Sequence, residues 1–138
     1  MGRVMALDVG FKRIGVALSD PLKLTASPYR ILYRKSNRET FEELLKIVLD
    51  KGVEEIVVGI PINAQGEKTK IGQKIEKFTA KLQSFLRERG YQIPIYTHDE
   101  SFSTQEAREV ARSLGKEKEE LDDYAAALIL KEWLELKR

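Results

Sequence analysis

Apolar positions along the chain fall into two periods. Residues 4–9 and 14–18 are short apolar runs of strand length, and 29–34 alternates apolar and polar side chains with a period of two. Residues 55–60 form a β-branched run that stops at Pro61, and 93–97 form a fifth run. Between these the period changes to that of a helix. Phe41, Leu44, Leu45, Val48 and Leu49 make one stripe, and Ile71, Ile75, Phe78, Leu82 and Phe85 make another. Ser36 with Glu39 is a capping box for the first helix, and Gly52 ends it. The second helix is expected from Lys70 to about Arg89, where Gly90 caps it. A short helix after the Ser103/Glu106 capping box runs to Gly115, residues 116–120 read as a charged connector, and Asp122 lies in the first turn of a final helix.

The resulting order is β-β-β-α-β-α-β-α-α. Three strands joined by short turns predict antiparallel pairing, and strands separated by helices predict parallel crossovers. The expectation is one α/β domain over residues 1–138, with a five-stranded mixed sheet and helices on both faces.

One residue breaks the pattern. Asp8 sits inside the first apolar run, where an ionised carboxylate loses hydration worth several kcal/mol unless a cation or a buried arginine compensates it. An Asx-turn at the strand end is the alternative. Composition narrows the chemistry. The chain has no cysteine and a single histidine, His98, so thiolate and multi-histidine metal sites are excluded, and a metal would need oxygen ligands, as Mg²⁺ or Mn²⁺ does. No apolar run reaches the roughly 18 residues of a membrane span, and Met1-Gly2-Arg3 leads straight into a strand without a signal peptide. A cytoplasmic protein with no membrane partner is expected. The net charge of +2 does not by itself indicate nucleic acid.

Other acids stand where the predicted topology reaches the same rim as Asp8. Glu100 lies just past the fifth strand, and Asp122, with Asp123 as its competitor, opens the last helix, where the dipole keeps a carboxylate ionised. Ala125 and Ala126 let that helix approach the sheet closely. Converging carboxylates repel one another, and one or two divalent ions relieve the repulsion and support phosphodiester hydrolysis. Lys12 and Arg13, in the turn after Asp8, are candidate phosphate contacts, as are Arg30 and Arg34 on the third strand. Asn63, a further candidate nucleic-acid contact, opens a polar loop past the fourth strand that is expected to be mobile and to fold over a strand of nucleic acid. Tyr29, Tyr33 and Phe41 read as packing residues.

Four segments carry a family resemblance: Asp8-Val9-Gly10-Phe11-Lys12-Arg13-Ile14-Gly15-Val16-Ala17-Leu18-Ser19-Asp20, Val58-Gly59-Ile60-Pro61-Ile62-Asn63, Asp99-Glu100-Ser101-Phe102-Ser103-Thr104, and Asp122-Asp123-Tyr124-Ala125-Ala126-Ala127-Leu128-Ile129-Leu130. Together, and in this order, they resemble the YqgF family over nearly the whole chain. The resemblance implies a ribonuclease H-like fold and a nuclease that matures the 5′ end of pre-16S ribosomal RNA, with Holliday junction resolution as the alternative. It puts the family's acid triad on Asp8, Glu100 and Asp122, as catalytic residues and as ligands of Mg²⁺ or Mn²⁺, two ions being expected. It also implies structured RNA as the favoured partner, branched DNA as the alternative, and association with a pre-ribosomal particle. Ser101 departs from the family pattern, which has arginine after Asp-Glu, and so puts one phosphate contact or ion pair in doubt. Each long helix shows one apolar stripe, which the sheet consumes, so a monomer or weak homodimer is expected; Trp133 is the one large residue left for a partner and reads as core.

Two other classes compete. A sugar kinase or actin-like phosphotransferase also uses Asp-x-Gly before a glycine hairpin, but it needs a second domain that 138 residues cannot supply. A non-catalytic nucleic-acid-binding module would not need the acids.

Overall fold

The computed structural model describes residues 2–100 and 118–137, the side chains of 118–123 excepted. The expected short helix at 103–115, Ser101 and the side chains of Asp122 and Asp123 lie outside the described residues.

Five strands form one mixed sheet in the order β3-β2-β1-β4-β5. They are β1 (Arg3–Val9), β2 (Arg13–Ser19), β3 (Ala26–Tyr33), β4 (Val53–Ile60) and β5 (Ile95–Asp99). The first three pair antiparallel, and β4 lies parallel to both β1 and β5, as the lengths of the connections require. Four strands begin before their apolar runs do, and β5 begins two residues after its run does. β3 even includes Pro28, which an edge strand tolerates because the missing N–H can face solvent, and the ladder slips at Val16/Ala17 beside it.

The helices are α1 (Asn37–Lys51), α2 (Lys70–Glu88) and α3 (Lys118–Leu136). The Ser36 hydroxyl accepts the Glu39 N–H at 3.1 Å, and Gly52 closes α1 in the left-handed region with φ 65°. Thr69 caps α2 by accepting the Gly72 N–H at 3.0 Å. The described part of α3 starts at Lys118, so Asp122 stands one turn inside it rather than in its first turn. The residues read as the end of a charged connector, Lys118-Glu119-Glu120, are strong helix formers without an apolar stripe, and they extend the helix toward its N-terminus.

Strand alternation divides the interior into two unequal cores. Met5, Leu7, Val9, Ile14 and Val16 point to the α1/α2 face and pack with Phe41, Leu44, Ile75, Phe78 and Leu82. Val4, Ala6, Ala17 and Val57 point the other way, under Ala126, Ile129 and Leu130 of α3. Small side chains on both partners let α3 lie close to the sheet. Ile129 is fully buried there, contributing about 1.5–3 kcal/mol. Trp133 is half-buried rather than central; its ring packs on Tyr96 at 5.2 Å between centroids. Of the three aromatic residues expected to pack, Phe41 is in the core and Tyr29 lies against it, whereas Tyr33 is 51% exposed. Among the described residues no helix is long and apolar enough to cross a membrane.

Candidate active site

Asp8 alternates with Val4 and Ala6 along β1 and therefore lies on the α3 face. Its partner on one side is Gly15 of β2. On the other side Leu7 pairs with Val58, so the next step along β4 brings Gly59 level with Asp8. A carboxylate at the centre of the sheet is thus bordered by two residues without side chains.

Gly59 shows what occupies the space above it. A Cβ added there would stand 2.4 Å from Cδ1 and 3.1 Å from Cγ1 of Ile129, and 3.1 Å from Oε1 of Glu100. The Glu100 backbone N–H donates to the Ile60 carbonyl at 2.9 Å, extending the β4–β5 pairing by one bond. That bond turns the Glu100 side chain inward, where it is only 3% exposed. The fold therefore brings Asp8 on β1 and Glu100 just past β5 to one face, on the two strands that flank β4, with strand axes about 10 Å apart and the floor between them, Gly59 of β4, free of a side chain. Position 122 shares a helical row with Ala126 and Ile129 at i, i+4 and i+7, the row that lies on the sheet. His98, level with Gly59 on β5, is tied to α3 by Nε2 to Glu132 Oε2 at 3.1 Å.

The candidate phosphate contacts separate into two groups. Lys12 is exposed at the tip of the β1–β2 hairpin, and Arg13 is the half-buried first residue of β2. Both stand at the edge where β1, β4 and β5 end. Arg30 and Arg34 are on the opposite face. Arg30 lies over the Tyr29 ring at 5.3 Å, and Arg34 over Phe78 of α2 at 4.9 Å. Arg34 also donates from Nη1 to the Gly10 carbonyl at 2.9 Å and from Nη2 to Asn37 Oδ1 at 3.2 Å, and burial lowers its pKa. The structure does not bring these two arginines to Asp8.

Asn63 stands past β4 on the same edge as Lys12. The loop it opens is a hydrogen-bonded turn. Its Oδ1 accepts the N–H groups of Gln65 at 3.0 Å and Glu67 at 2.9 Å, its own N–H donates to Glu67 at 2.8 Å, and Ile62 bridges Lys68. Lys68 pairs with Glu76 at 2.7 Å, which raises the lysine pKa.

Residue reasoning from the sequence did not single out Gly15 and Gly59 as the floor of the site. The available signal was glycine inside otherwise β-branched runs, which marks close approach by another group.

A family model for RuvX, described as Holliday junction resolvase, matches residues 2–136. The chain belongs to the RuvX family. This is the YqgF family that the four segments resemble. Curated RuvX-family relatives include a protein of Maridesulfovibrio salexigens, 36% identical over 136 residues, covering 96% of this chain and 97% of the relative. Another, from Lachnospira eligens, is 38% identical over 143 residues and covers 99% of each chain. Both carry the name "Putative pre-16S rRNA nuclease". The RuvX chain also shares its fold with Thermus thermophilus RuvC solved in complex with a Holliday junction substrate, at TM-score 0.59 and 15% identity, covering 94% of this chain and 92% of that one. The fowlpox virus Holliday junction resolvase matches at TM-score 0.53 and 14% identity, over 97% and 99% of the two chains. The five-stranded mixed sheet is thus the ribonuclease H-like fold of the RuvC resolvases.

Proposed function

We propose that this chain is a divalent-metal-dependent endonuclease that acts on RNA in the 5′ maturation of pre-16S ribosomal RNA. The observation that carries the proposal is the placement of Asp8 and the buried Glu100 on either side of Gly59, on the α3 face. The donor set fits Mg²⁺ or Mn²⁺. It consists of carboxylate oxygens, the chain has no cysteine, and the His98 imidazole is committed to Glu132. Asp8, Glu100 and Asp122 are the residues we assign to hold the metal, with Asp122 preferred to Asp123 because its row of α3 includes Ile129, the residue above Gly59. Bound there, one or two such ions supply Lewis-acid stabilisation of charge on a phosphodiester and activation of water.

The chain's own contribution is placement. Asp8 is fixed by its ladder position and Glu100 by its backbone bond to Ile60, so the negative charge is organised before substrate arrives. The packed face of α3 keeps bulk water from one side of the pair. Lys12 and Arg13, next to Asp8 in the chain, bind the substrate's phosphates and hold its backbone at the rim, and the Asn63 turn borders the same edge. The relatives' names favour an RNA substrate, and the carboxylates do not discriminate between RNA and DNA. We place the activity in the cytoplasm, on a pre-ribosomal particle, in a monomer or weak homodimer.

The family description favours a second reading, cleavage of four-way DNA junctions, which calls for two symmetric cuts and hence a two-fold dimer. One set of measurements tests both readings. Asp8→Asn, Glu100→Gln and Asp122→Asn each reduce cleavage of a precursor ribosomal RNA fragment by roughly a hundredfold or more while the circular dichroism spectrum is unchanged. Wild-type cleavage rates in all three variants, or full activity in EDTA, refute the metal mechanism. A stable dimer in sedimentation that makes paired nicks in a mobile junction and leaves the RNA uncut reverses the choice of substrate.

A further inference from the structure

The tip of the β1–β2 hairpin displays an aromatic ring in water. Phe11 is 87% exposed, more than any other large hydrophobic residue described. The turn itself has no use for the ring. The close approach is handled by Gly10, where a Cβ would stand 2.7 Å from the Arg13 carbonyl oxygen. Nor is the tip loose. Gly10 N–H donates to Arg13 at 2.8 Å, Arg34 N–H donates to Lys12 at 2.8 Å, and Arg34 Nη1 donates to Gly10 at 2.9 Å. These three bonds hold the backbone on either side of Phe11, so the ring is presented from a preorganised support.

Its position is informative. Phe11 follows Asp8 by three residues, at the sheet edge where β1, β4 and β5 all end and where Glu100 enters the site. The exposed Lys12 is next to it and Arg13 follows. An apolar ring beside cations is a poor fit to water or to an acidic surface alone. It suits a ligand that alternates negative charges with flat apolar faces, which is a nucleic-acid strand. A base inside a duplex has both faces covered by its neighbours, so a ring at a hairpin tip can stack only on an unpaired base.

We propose that Phe11 is a stacking platform for an unpaired nucleobase of the RNA whose backbone lies at the Asp8–Glu100 site. The proposal rests on the nuclease reading for the location of the strand. Stacking on Phe11 selects substrates with a single-stranded segment beside the cut and fixes their register, while Lys12 contributes charge without register.

The test uses the intact chain in EDTA, so that binding is measured without cleavage, on an RNA oligonucleotide carrying 2-aminopurine in a single-stranded segment. Phe11→Ala and Phe11→Leu weaken binding between about 5-fold and 150-fold, the range of one base–aromatic stack. Both lose the fluorescence quenching of 2-aminopurine, and Phe11→Trp restores affinity and quenching. The dependence of affinity on salt keeps its slope in these variants, whereas Lys12→Ala reduces that slope by about one. Melting temperatures stay at the wild-type value, since the ring is exposed in the free protein. Wild-type affinity and quenching in Phe11→Ala overturn the proposal and assign the ring to a protein contact; an equal loss of affinity for fully duplex RNA overturns it as well. A wild-type chain that binds and quenches but cleaves no nucleic acid in Mg²⁺ refutes the nuclease reading and leaves the stacking result standing.

Discussion

Placing a single methyl group at Gly59 tests whether the same glycine serves packing and the candidate site. In Gly59→Ala the new Cβ stands 2.4 Å from Ile129 Cδ1, well inside contact distance, and 3.1 Å from Glu100 Oε1. Ile129 is fully buried under α3, so the collision cannot be relieved by swinging its side chain into solvent. Overpacking of this kind costs about 1–3 kcal/mol. For 138 residues the unfolding entropy is about 0.3 kcal/mol/K, so the loss appears as a drop of roughly 3–10 °C in melting temperature. Ile129→Val removes Cδ1 and costs about 0.5–1.5 kcal/mol alone. Combined with Gly59→Ala it relieves the 2.4 Å contact, so the double variant is more stable than the two single losses predict. The tight approach to Glu100 remains, and cleavage therefore stays low in the double variant. Thermal unfolding of all four chains, each paired with a cleavage assay, completes the cycle. Additive stabilities, or full recovery of cleavage along with stability, would refute the reasoning: the first removes the collision with Ile129, the second removes the separate effect on Glu100.

Two further outcomes can be checked in solution. Mg²⁺ or Mn²⁺ raises the melting temperature of the wild-type chain by mass action, by about 2.7 kcal/mol of stability at a hundred times the dissociation constant, and the rise disappears in Asp8→Asn; an unchanged response in that variant contradicts the assignment of Asp8. Asp20 accepts the N–H groups of Thr25, Leu24 and Leu22 and the Thr25 hydroxyl, which together lower its pKa from 3.8 to about 2. A depressed carboxylate pKa stabilises the fold above the unfolded value, and the gain is lost as pH falls from about 4 to about 2. The difference in urea midpoint between wild type and Asp20→Asn should therefore shrink across that window, and a constant difference would show that the loop draws no stability from the charge.

Much of the fold was legible because its signals are local. The change from period two to period 3.6 located every described element, and connection length set the parallel and antiparallel pairings. Asp8 was conspicuous as a charge in an apolar strand. What escaped the sequence reading depends on distant contacts or on weak local signals. Arg30 and Arg34 share a face, as period two requires, but which face depends on Leu32 and Tyr29 joining the α1/α2 core and on Phe78 rising to meet Arg34. The stretch 118–120 lacks apolar residues, so periodicity was silent about it, although its lysine and glutamates favour helix. The Asn63 turn had readable Asx chemistry, which polarity and glycine content obscured. The exposure of Phe11 belongs to no pattern, since one apolar residue in a turn is as compatible with burial as with display. The glycine floor becomes visible only when β2, β1 and β4 are set side by side.

The thin core beneath α3 also bears on how the chain is made. Val4, Ala6 and Ala17 emerge from the ribosome early, yet the residues that cover them, Ala126, Ile129 and Leu130, are more than a hundred positions later. The opposite face of the same hairpin can be sheltered as soon as α1 and α2 have been translated. Vectorial synthesis therefore leaves the Asp8 side of the sheet bare until the C-terminal helix arrives. With the proposed acids divided between the beginning and the end of the chain, a growing polypeptide beside ribosomal RNA carries only part of the cutting machinery.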